Sequence, residues 1–101
     1  MDRLMELFLQ DCNTRGMSPR TLPGYKSALK MFDLYLNQQG IEVLAVDRDI
    51  LRRFLEHSRG RGLSPRTIEL FFSVLSSFYE YLAYEGMVSG NPVLIVRKRY
   101  L

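Results

Sequence analysis

The segment RGMSPRT at residues 15–21 returns as RGLSPRT at residues 61–67, with Met17 exchanged for Leu63. A shift of 46 positions aligns residues 15–41 with 61–87. Beyond the phrase it pairs Ser27 with Ser73, Leu29 with Leu75, Phe32 with Phe78, Tyr35 with Tyr81, Leu36 with Leu82 and Gly40 with Gly86. An internal match of this length within 101 residues requires each half to supply one copy of the same supersecondary unit. Apolar residues recur at steps of three and four, and strict alternation is nowhere sustained, so the unit is helical. The expected fold is an all-α bundle of two helical hairpins with related second helices, in a single domain.

Start and stop residues set the expected bounds. A first helix spans about residues 2–14 and stops before Gly16. The second starts at Ser18, a capping hydroxyl, with Pro19 at the first helical position, and ends before Gly40. The third follows Asp47, buries Ile50, Leu51, Phe54 and Leu55, and frays at 58–60. The fourth runs from Ser64 and Pro65 to Gly86, a left-handed cap. SGNP at 89–92 reads as a turn and 93–101 as a tail or linker. The core stripes are Tyr25, Leu29, Phe32 and Leu36 on the second helix and Phe71, Leu75, Phe78 and Leu82 on the fourth. Ser73, Ser76 and Ser77 face away from that stripe, and Tyr79, Tyr81 and Tyr84 read as core or rim.

Several function classes fall away. The uncharged run from Leu70 to Tyr79 is far too short to span a bilayer. The acidic N-terminus lacks the pattern of a secretory signal, so the cytoplasm is the expected compartment. A lone Cys12, read as a core residue, and a lone His57, read as interacting with a helix C-terminal dipole, offer neither a disulfide framework nor a metal cluster. No acid/base pair or nucleophile constellation can be assembled, so neither an independent enzyme nor a cofactor is expected.

The net charge of +3 is modest, but its distribution is uneven. Arg15, Arg20, Lys26 and Lys30 lie in one acid-free window, Arg59, Arg61 and Arg66 in a second, and Arg97, Lys98 and Arg99 in a third. Those ten of fourteen bases are either solvated helix-end charges or a polyanion-facing surface. Arg20 and Arg66 bear on the choice. Each is expected two residues into its helix, where the macrodipole disfavours a cation by about 0.3–1 kcal/mol. A helix start carrying a cation, a capping hydroxyl (Ser18, Ser64) and a second hydroxyl (Thr21, Thr67) is suited to holding an anion such as a phosphate. Two copies would grip two stretches of phosphate backbone. Structural convergence on a good helix start explains Ser-Pro but not the arginines.

The SPRT phrase with Tyr25 and its Leu/Phe ladder, followed by LSPRTIELFFSVLSSFYEYLAYEGMVSGNP, resembles the N-terminal core-binding domain of tyrosine recombinases and phage-type integrases, from Leu4 to Val96. The resemblance implies a SAM-like bundle of four or five helices that forms half of a clamp around double-stranded DNA, its second and fourth helices approaching the major groove. It also implies a division at residues 1–92 for the core-binding domain and 93–101 for the start of a linker. Catalysis in that family belongs to a separate C-terminal domain, so Tyr100 is not the nucleophile, and other recombinase protomers on DNA are expected partners of the full-length protein. The candidate DNA-contacting residues are Ser18, Arg20, Thr21, Lys26, Ser27 and Lys30; Arg61, Ser64, Arg66, Thr67 and Ser73; and Arg97, Lys98 and Arg99, the last three as linker contacts or a solvated tail. Pro23 and Gly24 depart from a regular helix start. A helical protein–protein interaction module, using exposed Met31 and Leu34, is the alternative.

Overall fold

In the computed structural model, which describes residues 1–101, the first half of the repeated phrase is a helix stop. Helix α1 (Asp2–Thr14) ends where Gly16 turns to φ 89°, and α3 (Arg48–Gly60) ends where Gly62 turns to φ 80°. Just beyond each glycine the chain closes a six-to-one bond: Met17 N–H donates to the Cys12 carbonyl at 3.0 Å, and Leu63 N–H to the Ser58 carbonyl at 3.3 Å. A side chain in that left-handed conformation costs about 1–2 kcal/mol, which is why glycine stands there twice. Met17 and Leu63 then pack back against the core.

The second half of the phrase behaves differently in its two copies. Helix α4 (Pro65–Tyr84) starts as expected, with Pro65 at its first position and Ser64 Oγ accepting the Thr67 N–H at 3.2 Å. Helix α2 (Leu22–Gln39) starts three residues later than expected from Pro19, and Ser18 does not cap it. Residues 18–21 form a turn instead: Thr21 N–H donates to the Ser18 carbonyl at 2.9 Å and Arg20 N–H to Ser18 Oγ at 3.2 Å. Pro23 is the cause. In a helix begun at Pro19 it would fall in the second turn, lacking the N–H that the Pro19 carbonyl needs and clashing with that carbonyl. In a helix begun at Leu22 it sits in the first turn, where no N–H is required.

Asp47 caps α3 as expected, its carboxylate accepting the Ile50 N–H at 3.0 Å, after a single 3-10 turn at Val43–Ala45. The helix continues through Gly60 rather than fraying at 58. The stretch expected as a tail or linker forms a fifth helix, α5 (Val93–Tyr100), with Val93 and Val96 buried. Asn91 pins its start: Nδ2 donates to the Ser76 carbonyl at 2.8 Å and Oδ1 accepts the Val93 N–H at 3.0 Å. Ser76 is therefore buried, not outward-facing, because its hydroxyl and carbonyl both meet Asn91. The result is all-α: five helices and no strand.

The hairpins α1–α2 and α3–α4 pack with α2 against α4, and α5 closes over α3 and α4. Phe8, Phe32, Leu51, Phe72, Phe78 and Tyr79 are fully enclosed. Phe54 meets Phe32 edge-on at 5.0 Å and lies 6.0 Å from Phe72, joining three helices through aromatic rings. Tyr79 donates to the Val43 carbonyl at 2.7 Å, and burial pushes its phenol well above the usual value, so it remains a neutral donor. Cys12 and its counterpart in the shifted alignment, Ser58, are both buried, and burial raises the Cys12 thiol. Tyr25 is only half-buried at the edge of its stripe, Tyr81 joins the core and Tyr84 is exposed.

The unequal use of the two serines makes a stability prediction. Ser64→Ala removes a cap and should lower the unfolding free energy by about 1 kcal/mol. Ser18→Ala should change it by less than about 0.5 kcal/mol, as for other exposed surface sites. Urea denaturation of both variants checks this, and equal losses would show Ser18 to be a cap after all.

Candidate nucleic-acid interface

Each copy of the phrase forms the tip of a hairpin. Arg15 and Arg20 flank the turn between α1 and α2, and Arg61 and Arg66 flank the turn between α3 and α4. The tips differ electrostatically. Arg15 is held by Asp11 at 2.9 Å and reaches the Cys12 sulfur at 3.5 Å, whereas Arg20, Arg61 and Arg66 are exposed with no acid within ion-pair distance. Of these, Arg66 is the cation placed against the local field, at the second residue of α4. Arg20 precedes the first turn of α2 and escapes most of that penalty, a consequence of the displaced helix start.

Three of the four hydroxyls of the phrase have partners within the chain, and that of Thr21 has none. Ser64 Oγ and Thr67 Oγ1 lie 3.0 Å apart, and Ser18 Oγ accepts from Arg20 N–H. Beside the arginine side chains, the O–H groups of Ser18, Thr21 and Thr67 and a few backbone N–H groups, among them those of Leu22 and Gly24 at one tip and Arg66 at the other, remain free to donate to an incoming anion.

The two tips are not neighbours. Phe8 lies 6.3 Å from Tyr25, in the first turn of α2, and 5.4 and 5.8 Å from Phe78 and Tyr81, near the end of α4. The start of α2 is therefore beside the far end of α4. Twelve residues separate Arg66 from Phe78, about 18 Å along a helix at about 1.5 Å per residue. That separation is on the scale of a nucleic-acid groove, about 12 Å wide in the major groove, rather than of adjacent phosphates on one strand.

The remaining candidates fall in three places. Ser27 and Lys30 are exposed on α2, and Ser73 is half-buried on α4, in the outward stripe that also carries Arg66, Leu70 and Ser77. Glu69 and Glu80 border that stripe and repel phosphate there. Lys26 and Lys30 face a groove against α1 that also holds Asp2 and Glu6. Thr21 is exposed, Thr67 half-buried and Arg97 half-buried, while Lys98 and Arg99 are exposed on the last turn of α5. Arg59 donates to the Tyr100 carbonyl at 3.3 Å, so this turn lies beside the end of α3, two residues from Arg61. Arg48 and Arg52 on α3, which line a groove with Lys98 and Arg99, are absent from the sequence-derived set because Asp47 and Asp49 flank Arg48. Their spacing of four residues, one turn of a single helix face, was the available signal. His57, in the last turn of α3, packs its ring 4.9 Å from that of Tyr35. No group of side chains able to hold a metal ion is present, and no helix is long and apolar enough to cross a membrane.

Comparison with known proteins matches residues 5–86 to a family described as phage integrase, N-terminal SAM-like domain. The matched domain is not the catalytic domain of integrases. No curated protein and no solved structure matches the chain.

The placement of the two arginines predicts different stability effects. Arg66→Ala should stabilise the fold by up to about 0.3–1 kcal/mol, because it removes a cation from the positive end of α4. Arg20→Ala should be neutral within about 0.5 kcal/mol. Thermal or urea denaturation at low salt measures both, and a destabilised Arg66→Ala would show that the side chain has a structural partner.

Proposed function

The chain belongs to the phage-integrase N-terminal SAM-like family, which supports a role in site-specific recombination, and on that premise we propose that it grips double-stranded DNA as the non-catalytic, core-binding part of a tyrosine recombinase. The observation that carries this reading is the pair of exposed arginines without acid partners, Arg20 and Arg66, at hairpin tips that lie towards opposite ends of α4. Each tip would hold one phosphate stretch, with Arg61 beside Arg66 and the free backbone N–H groups completing the contacts. Between the tips, exposed Ser27 on α2 and half-buried Ser73 on α4 have small side chains that permit close approach of a duplex, while Lys30 shares a groove with Asp2 and Glu6, and Glu69 and Glu80 border the Ser73 stripe. On this reading the first 92 residues form the clamp, α5 leads towards a catalytic domain, other recombinase protomers assemble through the full-length protein, and the compartment is the cytoplasm.

For the protein–protein alternative, Met31 is half-buried rather than exposed, which leaves Leu34 and, on α4, Leu70, each about half accessible. Both sit singly among polar residues, which an ordinary surface tolerates. The unpaired cations favour a polyanion.

Duplex binding measured across a salt series tests the proposal. Arg20→Ala and Arg66→Ala should each weaken binding and lower the slope of log K against log salt by about 0.9, the loss of one phosphate contact. Slopes equal to that of the parent protein in both variants would remove the two-tip grip.

A further inference from the structure

A groove of about 720 Å³ runs between α3 and α5, outside the two hairpin tips. Four cations line it, Arg48 and Arg52 from α3 and Lys98 and Arg99 from α5, against the single acid Asp49. The balance, 4 − 1 = +3, equals the formal net charge of the whole chain, so the rest of the protein is neutral in sum. Asp49 is itself engaged by Arg52 and by Arg53 at 2.9 Å, and Arg52 reaches Glu56 at 3.9 Å, while Arg48, Lys98 and Arg99 have no acid within ion-pair distance.

Helix-end electrostatics accounts for only part of this cluster. Lys98 and Arg99 belong to the last turn of α5, where the dipole favours cations, and Arg59 satisfies a carbonyl of that turn. Arg48 has the opposite situation: it is the first residue of α3, directly after the capping Asp47, where the dipole opposes it. It is thus a second cation, with Arg66, placed at a helix start against the local field, and it faces the basic end of another helix. Such a conflict with local stability, lacking any local benefit, marks a function elsewhere.

The phenol of Tyr100 shows how the groove treats an oxygen. Hydrogen bonding from Arg52 and then Arg99 pulls the Tyr100 hydroxyl below the usual phenol range, and the Arg99 guanidinium also lies 5.8 Å from the ring centroid. An anionic oxygen placed beside Arg52 and Arg99 would accept charge-assisted hydrogen bonds, stronger than those to a neutral phenol. Ile95 lines the same groove.

We infer that the groove between α3 and α5 is a second phosphate-binding site, in which Arg48, Lys98 and Arg99 hold phosphate oxygens beside Arg52 and the Tyr100 hydroxyl. The inference deepens the proposed function and rests on it where the phosphate belongs to duplex DNA. A free oligophosphate offers the same chemistry. Here the groove extends the contact surface from the Arg61–Arg66 tip along α3, because the last turns of α3 and α5 adjoin.

The test uses the whole chain and two double variants, Arg48→Ala/Lys98→Ala for the groove and Arg20→Ala/Arg66→Ala for the tips. With duplex DNA, the groove variant should lower the salt slope by about 1.8, two contacts at about 0.9 each, whatever the tip variant does. Amide signals of Arg52, Ile95 and Tyr100 should shift on titration. An unchanged slope in the groove variant together with unshifted signals overturns the inference while leaving the tips to stand on their own variant. If the chain binds no duplex at all, the proposed function fails separately, and the groove is judged on inorganic pyrophosphate. Saturable shifts at the same three residues, lost in the groove variant, would then support a site for free oligophosphate, and a flat titration would overturn it. Circular dichroism of each variant confirms that a lost signal is not a lost fold.

Discussion

The burial of α4 is the constraint on which the rest of the structure depends. Nine of its twenty residues are buried, from Ile68 to Leu82. Tyr79 fixes the turn between the two hairpins through the Val43 carbonyl. Ser76, one turn earlier on the same helix, fixes α5 through Asn91. One helix thus carries the hydrophobic contacts of both hairpins and two polar pins, each with a satisfied partner. A helix so enclosed has little surface to offer. Its exposed residues form one stripe from Arg66 to Tyr84, and two of them, Glu69 and Glu80, are acidic. Any role in holding a polyanion is pushed to the hairpin tip at its start and to other elements, such as the α3–α5 groove.

The general architecture was legible in the sequence because the repeat and the apolar period point the same way. Most helix bounds followed from caps with a single mechanism, such as Asp47 and Ser64, each of which accepts the N–H three residues on. The start of α2 was misjudged where two local signals conflicted. Ser18-Pro19 argues for a start at 19 and Pro23 against it, and the missing N–H of Pro23 is the larger effect, about 3 kcal/mol in a helix interior against about 1 for a cap. Helix α5 was missed for a different reason. Eight residues are too few to form a stable helix alone, so its existence depends on Val93 and Val96 finding the core. Their three-residue spacing was visible, but the surface that receives them was not.

The candidate site was less legible than the fold, again for a physical reason. Acid-free windows in sequence select cations without acidic chain neighbours, whereas a ligand meets cations without acidic spatial neighbours. Arg15 passes the first criterion and fails the second, because Asp11 lies one turn back on α1. Arg48 fails the first, flanked by Asp47 and Asp49, and passes the second, because Asp47 is occupied by the Ile50 N–H and Asp49 by Arg52 and Arg53. Pairing along a helix can be estimated from three- and four-residue spacing. Pairing across α3 and α5 requires knowing that α5 exists.

The duplicated phrase can now be divided into what folding needs and what it does not. Arg-Gly-Met and Arg-Gly-Leu contain a helix stop whose glycine adopts positive φ and whose apolar residue returns to the core. Ser-Pro is a helix start in one copy and a turn in the other, so its recurrence is not explained by one shared structure. Arg15 has a local use in holding Asp11, and Arg61, its counterpart, has no acid to hold. What remains in both copies after these assignments is Arg20 and Arg66, exposed, without an acid partner, and in two backbone settings with different dipole environments. Neither setting gives the arginine a structural reason, which is why the proposed function places its role outside the fold. A negatively charged partner that spans both tips supplies that role.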